Sequence, residues 1–179
     1  TGASVISVAK VAPPSDVVTA DAYVVGDVST SKIYLEKNPQ LVLPFASMSK
    51  IITAITATDM YASSTPMTVT ELETEVPPDA SALKAGETFT LHDLLYPMLL
   101  NSSNVAAEVV ASSSDRQNFL EQMSSYAWEI GMPNSYFADP TGLSPRNAGT
   151  AIGFFAMAQY LYTQRPDILA ITRTPSLSV

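Results

Sequence analysis

Pro44-Phe45-Ala46-Ser47-Met48-Ser49-Lys50 runs directly into Ile51-Ile52-Thr53-Ala54-Ile55-Thr56-Ala57, so a serine and a lysine three residues apart stand at the start of an apolar helix. Side chains at i and i+3 share one helix face with Cβ atoms about 5–6 Å apart, so Ser47 Oγ and Lys50 Nζ can exchange a proton without any loop bringing them together. A lysine held against such a surface is partly desolvated, which disfavours its charged form and suits it to act as a base. Spacing alone does not single this pair out. Ser7 and Lys10, Ser29 and Lys32, and Ser81 and Lys84 repeat it, so four of the five lysines follow a serine by three. Those three pairs lie in polar, β-branched or Pro-flanked stretches, whereas Lys50 leads a long run almost free of charge until Asp59. The competing reading is an ordinary buried helix with Lys50 snorkelling to water.

The chain around it has 179 residues, 46% hydrophobic and 15% charged, which fits one globular domain with length enough for a sizeable core. A net charge of −8, with nine scattered Lys and Arg, argues against nucleic acid and against a basic membrane-surface patch. There is no cysteine, hence no disulfide and no thiolate metal site. His92 is the only histidine, so no metal or cofactor is expected. No stretch reaches 18 consecutive apolar residues and no basic-then-apolar leader opens the chain, so any signal or anchor is expected outside these residues.

Residues 1–19 read as a lead-in, with a strand at Val5-Ile6-Ser7-Val8 stopped by Pro13-Pro14. Residues 22–27 and 32–37 are β-rich runs joined by four residues, an antiparallel hairpin ended by Asn38-Pro39. Residues 69–78 read as an extended excursion, and Ala85-Gly86-Glu87 as a turn. Thr90 with Asp93 forms a variant capping box for a helix that Asn101-Ser102-Ser103-Asn104 interrupts before a second helix over 105–111. Residues 115–130 carry an i, i+4, i+7 stripe with Gly131 as C-cap. Asp139-Pro140-Thr141-Gly142 is a turn cluster. Residues 150–162 form a helix apolar enough to be central, broken at Arg165-Pro166, with one further turn over 168–171.

Several of these stretches resemble, in order, the serine D-alanyl-D-alanine carboxypeptidases, low-molecular-mass penicillin-binding proteins related to the β-lactamases. The opening hairpin looks like the family's first strands, and Ser47-Met48-Ser49-Lys50 like its S-x-x-K nucleophile motif. Leu83-Lys84-Ala85-Gly86-Glu87 with Leu94-Leu95 is similar to the approach to a second motif, matched by Ser102-Ser103-Asn104. Phe137 to Leu143 and Gly149-Thr150-Ala151 are similar to a later turn and helix entry. There are departures. Ser103 and Val105 stand where Gly and Asp are usual, Asp139 stands where Asn is usual, and no Lys-Thr-Gly third motif occurs before Val179.

The resemblance implies an α/β fold in the broad, α+β sense: a helical region packed on an antiparallel sheet, the sheet incomplete here and open at an edge through which chains can associate. Residues 20–179 would be the N-terminal and helical portion of such a domain. It implies Ser47 as nucleophile, Lys50 as base, Ser102 as proton relay to the leaving amine and Asn104 as the group that holds the substrate amide and orients Lys50. The implied substrate is a peptidoglycan stem peptide ending in D-Ala-D-Ala, the implied covalent inhibitors are β-lactams, and the location is extracytoplasmic, in a bacterial cell envelope. No Glu-x-x-Leu-Asn is present for β-lactamase turnover. Without the third-motif strand, the 179 residues alone are expected to be weakly active. Three alternatives remain. Ser102 and Asn104 as plain helix caps, since both residue types favour caps; His92 beside Asp93 as a triad member, against a plain surface position; and the chain as a non-catalytic descendant that binds peptidoglycan or a partner are the readings that compete.

Overall fold

Residues 52–57 make up the middle of helix α1 (Ser49–Met60), and none is more than 1% exposed, so this helix is enclosed on every side. The computed structural model describes residues 18–77 and 82–174. In it, α2 (Leu91–Leu100), α3 (Asn104–Ser112) and α4 (Arg116–Glu129) close around α1. Small residues such as Ala54, Ala57, Ala106 and Ala107 let the backbones approach, and Ile52, Ile55, Leu94, Met98, Phe119 and Met123 fill what remains. Each of these larger side chains stabilises the fold by roughly 1.5–3 kcal/mol through burial.

Helix ends follow their capping residues. Thr90 Oγ1 accepts from Asp93 N at 3.2 Å while Asp93 Oδ2 accepts from Thr90 N at 3.1 Å, the reciprocal box expected for α2. Asp115 Oδ1 caps α4 by accepting from Gln117 N and Asn118 N, and Gly131, at φ +97°, ends that helix in the left-handed region. Thr150 Oγ1 accepts from Gly153 N at the start of α5 (Ala151–Gln164). Pro166 opens α6 (Pro166–Thr172) as its first residue.

The strands form three separate antiparallel pairs among the described residues. They are β1 (Tyr23–Asp27) with β2 (Lys32–Lys37), β3 (Leu43–Pro44) with β6 (Ala148–Gly149), and β4 (Pro66–Thr68) with β5 (Thr88–Thr90). The first pair is the expected hairpin, with a register shift between Val25 and Gly26. A Cβ at Gly26 would stand 2.7 Å from the Phe155 ring and 2.8 Å from the Lys32 carbonyl, so the hairpin lies directly on α5. The strand expected at Val5–Val8 lies outside the described residues.

Two expectations need correction. Helix α5 is not central. Only Gly153, Met157 and Leu161 of it are buried, because α2–α4 already fill the space around α1 and leave α5 as a seam between β1 and α6. The excursion over 69–77 is extended only at its start, where Val69 exchanges backbone hydrogen bonds with Gly86 and Glu87. It then curls through a 3-10 turn at Glu73–Glu75, because the Glu73 carboxylate accepts from Thr70 N and Thr70 Oγ1. No helix of the described residues is long and apolar enough to cross a membrane.

Candidate active site

Ser47 sits in a 3-10 turn, Ala46–Met48, that feeds α1, and Lys50 is the second residue of α1 itself. The turn is entered through Ala46 at φ +45°, a left-handed conformation that costs a residue with a Cβ on the order of 1 kcal/mol and tends to persist only where neighbours enforce it. One neighbour is Ser49, whose Oγ donates to Ala46 O at 2.8 Å. Lys50 is 2% exposed. Its Nζ donates to Ser47 Oγ at 3.2 Å, Asn104 Oδ1 at 2.9 Å and Thr141 O at 2.8 Å. The predicted i, i+3 contact is thus present, and Asn104, 54 positions away in sequence, joins it.

Asn104 is the first residue of α3, and its Nδ2 donates to Pro77 O at 3.3 Å. Capping of α3 falls to a different residue, buried Ser103, whose Oγ accepts from Ala106 N at 3.0 Å. Pro97, inside α2, shapes the break before it: Pro97 O accepts from both Asn101 N and Ser103 N. Ser102 is exposed at φ +59°, and two peptide units bring its Cα within about 7.6 Å of that of Asn104. The capping alternative for Ser102 and Asn104 therefore gives way, with Ser103 doing the capping between them.

The turn cluster Asp139–Gly142 belongs to the site, within a loop over residues 138–147. Three buried polar side chains of α1 hold it. Lys50 Nζ meets Thr141 O, Thr53 Oγ1 donates to Pro140 O at 2.7 Å, and Ser49 Oγ accepts from Asn147 Nδ2 at 2.8 Å. Ser49, Lys50 and Thr53 form a polar stripe at helical spacing inside an apolar helix, a signal that was available in the sequence. The carbonyls they meet carried none, since every residue has one. Gly142, at φ +85°, lies so close to the nucleophile turn that a Cβ there would stand 1.9 Å from Ala46 O and 2.9 Å from Ser47 N.

Within this loop, Asp139 Oδ1 accepts from Thr141 N, Thr141 Oγ1 and Gly142 N at 2.8, 2.8 and 2.6 Å, and Oδ2 accepts from Ser144 N at 2.7 Å. Burial pushes the Asp139 carboxyl up. The Thr141 hydroxyl and the three backbone N–H groups outweigh burial and hold it below the usual carboxylate value. Asn147 ties the loop to itself, its Oδ1 accepting from Ala138 N and Asp139 N and its Nδ2 donating to Asp139 O.

His92 takes no part. It is exposed at the start of α2, 3.7 Å from Asp93 and edge-on to Tyr96, in a cavity of about 390 Å³ lined by Thr58, Tyr61 and Arg165 near the other end of α1. No cluster of metal-ligating side chains occurs among the described residues.

Comparison with known proteins converges on one family. Residues 7–179 match the family described as D-alanyl-D-alanine carboxypeptidase, peptidase family S11. A D-alanyl-D-alanine endopeptidase of Pseudomonas aeruginosa is 32% identical over 132 residues, 71% of this chain and 42% of that protein. The crystal structure of the D-alanyl-D-alanine carboxypeptidase DacD from Francisella tularensis superposes with a TM-score of 0.82 at 26% identity, covering 96% of this chain and 42% of the other. Penicillin-binding protein D2 from Listeria monocytogenes, in its cefotaxime-bound form, gives 0.77 at 26% identity, covering 89% and 68%. The chain spans about half the length of the curated relatives it matches. With the helical fold, the paired ribbons and the Ser47–Lys50–Asn104 cluster already described, these matches establish that the chain belongs to the D-alanyl-D-alanine carboxypeptidase family.

Proposed function

We propose that these residues carry the acylation half of a serine DD-peptidase that cuts peptidoglycan stem peptides at D-Ala-D-Ala. The observation that carries this reading is the set of oxygens around Lys50 Nζ. A neutral amine has two N–H groups and one lone pair. With the amine neutral, Asn104 Oδ1 and Thr141 O take its two N–H groups, and the 3.2 Å contact in which an ammonium donates to Ser47 Oγ reverses, the hydroxyl donating to the lone pair. Ser47 attacks the carbonyl between the two D-alanines as its proton passes to Lys50. Ser102 relays a proton to the leaving amine, Asn104 holds the substrate amide, and water releases the acyl group. A β-lactam entering the same pocket stalls at the acyl stage.

In this reading residues 20–179 form the N-terminal and helical portion of the domain, working outside the cytoplasm where peptidoglycan lies. No Lys-Thr-Gly stretch occurs in the 179 residues, so a strand carrying it must come from elsewhere for full activity. Loss of a single oxyanion donor lowers rates about 100- to 1000-fold, so the isolated chain is expected to hydrolyse D-Ala-D-Ala peptides only weakly. Whether carboxypeptidase or endopeptidase activity prevails is read from a linear pentapeptide against a cross-linked dimer. The P. aeruginosa relative, an endopeptidase by name, is the reason to test both.

Intact mass after incubation with a penicillin tests the proposal. A single covalent adduct that disappears with Ser47→Ala supports it. An adduct that survives Ser47→Ala, or none even in a longer protein carrying this sequence, overturns it and favours a peptidoglycan- or partner-binding role.

A further inference from the structure

We infer that Asp139 is a positioning residue that acts on Lys50 through the peptide unit joining Thr141 to Gly142. This rests on the Ser47–Lys50 reading above and adds to it the group that fixes the base.

A trans peptide unit is planar, with its N–H and C=O pointing in opposite directions. The N–H of this unit belongs to Gly142 and is held by Asp139 Oδ1 at 2.6 Å. Its C=O belongs to Thr141 and accepts from Lys50 Nζ at 2.8 Å. The carboxylate therefore pins one side of the plane and the amine meets the other. A charge-assisted bond on the N–H also polarises the carbonyl, since hydrogen bonds in a chain strengthen one another. Three further bonds to Asp139, from Thr141 N, Thr141 Oγ1 and Ser144 N, prevent the plane from turning about its flanking dihedrals. Thr53 from α1, and Asn147, hold the neighbouring carbonyls of Pro140 and Asp139.

The oxygen Asp139 uses most is a single one. Oδ1 takes three of the four side-chain bonds and Oδ2 only the bond from Ser144 N. An asparagine with its carbonyl oxygen in the Oδ1 place keeps the three-bond set and gives up only the bond from Ser144 N. A glutamate keeps the charge and displaces it by a methylene. Geometry at that oxygen, more than charge, is what the peptide plane needs.

The test uses Asp139→Asn, Asp139→Glu and Asp139→Ala in the full chain, each checked for folding by thermal melting. Two readouts are taken: acylation by a fluorescent penicillin, separated into non-covalent affinity and acylation rate, and limited acetylation by acetic anhydride, scored at Lys50 against Lys32, Lys37 and Lys84. The expected acylation rate falls about 10- to 100-fold in the Ala and Glu variants with affinity unchanged, and stays within about threefold of the parent in the Asn variant. Lys50 acetylation relative to the other lysines is expected to rise at least about fivefold in Ala and Glu, and not in Asn. Parent-like acylation and labelling in a folded Ala variant would overturn the inference, as would Asn being slower than Glu. If Ala does not fold, the order of Asn and Glu still decides. If the parent forms no adduct at all, the Ser47–Lys50 reading fails, and the acetylation ratio alone judges Asp139.

Discussion

Each end of α1 meets a basic side chain, and the two are held differently. At the N-terminal end, Lys50 Nζ meets a hydroxyl, a side-chain amide oxygen and a backbone carbonyl among the described residues. At the C-terminal end, Arg165 reaches in from the junction of α5 and α6, donating to Asp59 Oδ1 at 3.1 Å, to Thr58 Oγ1 at 2.6 Å and to both oxygens of Asp167 at 3.1 and 2.9 Å. The helix dipole sharpens the contrast, since it opposes a positive charge at the first end and favours one at the second. The Asp167 hydrogen bonds raise the Arg165 guanidinium further above its already high value, so that cation is permanent and structural. One helix thus meets a structural guanidinium near one end and carries the proposed base near the other, about 12 Å apart along its axis at a rise of about 1.5 Å per residue.

Exchanging each basic side chain for a methionine of similar volume is the largest way to break this comparison. Lys50→Met should lower the acylation rate at Ser47 by at least about 1000-fold, because the serine loses the group that takes its proton. It should also destabilise the fold by about 1–3 kcal/mol, since Thr141 O and Asn104 Oδ1 lose a buried donor. A folded Lys50→Met protein that acylates at the parental rate would place the base elsewhere.

Gly142 and Gly86 make a matched pair with a smaller effect. Both have strongly positive φ, +85° and +89°, but a Cβ at Gly142 collides with the Ala46 carbonyl, while one at Gly86 meets nothing within 4 Å. Gly86→Ala should cost only the left-handed conformation, about 1–2 kcal/mol, and leave acylation unchanged. Gly142→Ala has to push the 139–144 loop off the nucleophile turn, and should slow acylation by about 100-fold as the Thr141 carbonyl moves with it. Equal effects of the two on acylation would separate the loop from the site. Smaller again is Arg165→Met. Asp59 and Asp167 are partly exposed and regain water, so the loss in melting experiments should be about 1 kcal/mol with acylation within twofold of the parent.

Much of this was legible in the sequence where a side chain itself does the work. Ser47 with Lys50, the Thr90–Asp93 box and the Gly131 cap all depend on side-chain identity at fixed spacing, and the structure has each of them. Asn104 beside Lys50 was readable only through a resemblance, because no local rule links positions 54 apart. Asp139-Pro140-Thr141-Gly142 reads as a turn and its role in the site does not, since its contributions are a carbonyl at Thr141 and an absent Cβ at Gly142. The position of α5 was misjudged for a related reason: apolar content says that a helix is covered, and a seam against two elements covers it about as well as a core does.

Acid provides the finest comparison of the two ends, because each has one carboxylate held below the ordinary value of 3.8. For Asp167 the cause is the Arg165 side-chain bond, which outweighs burial. For Asp139, burial works in the opposite direction and the loop's N–H and O–H donors overcome it. A carboxyl whose folded pKa is depressed binds fewer protons folded than unfolded, so its contribution to stability is fully present above the unfolded value and disappears as pH falls through the folded one. Urea midpoints followed from pH 5 down to pH 2 should therefore decline below about pH 4. Asp167→Asn should remove a small part of that decline and leave amide hydrogen exchange at Gly142 as in the parent at every pH. Asp139→Asn should also flatten the decline, because an amide takes up no proton in this range and keeps one set of loop contacts at every pH. In the parent, that protonation converts Oδ2 or Oδ1 into a hydroxyl facing N–H donors, so the loop over Lys50 should loosen in the same pH range. A rise in Lys50 acetylation is not readable there, since amines are protonated in acid, but amide hydrogen exchange at Gly142 is, and it should accelerate in the parent and not in Asp139→Asn. Equal acceleration in both would mean that acid opens the loop through some other group, and the two ends of α1 would then differ in chemistry but not in how they respond to protons.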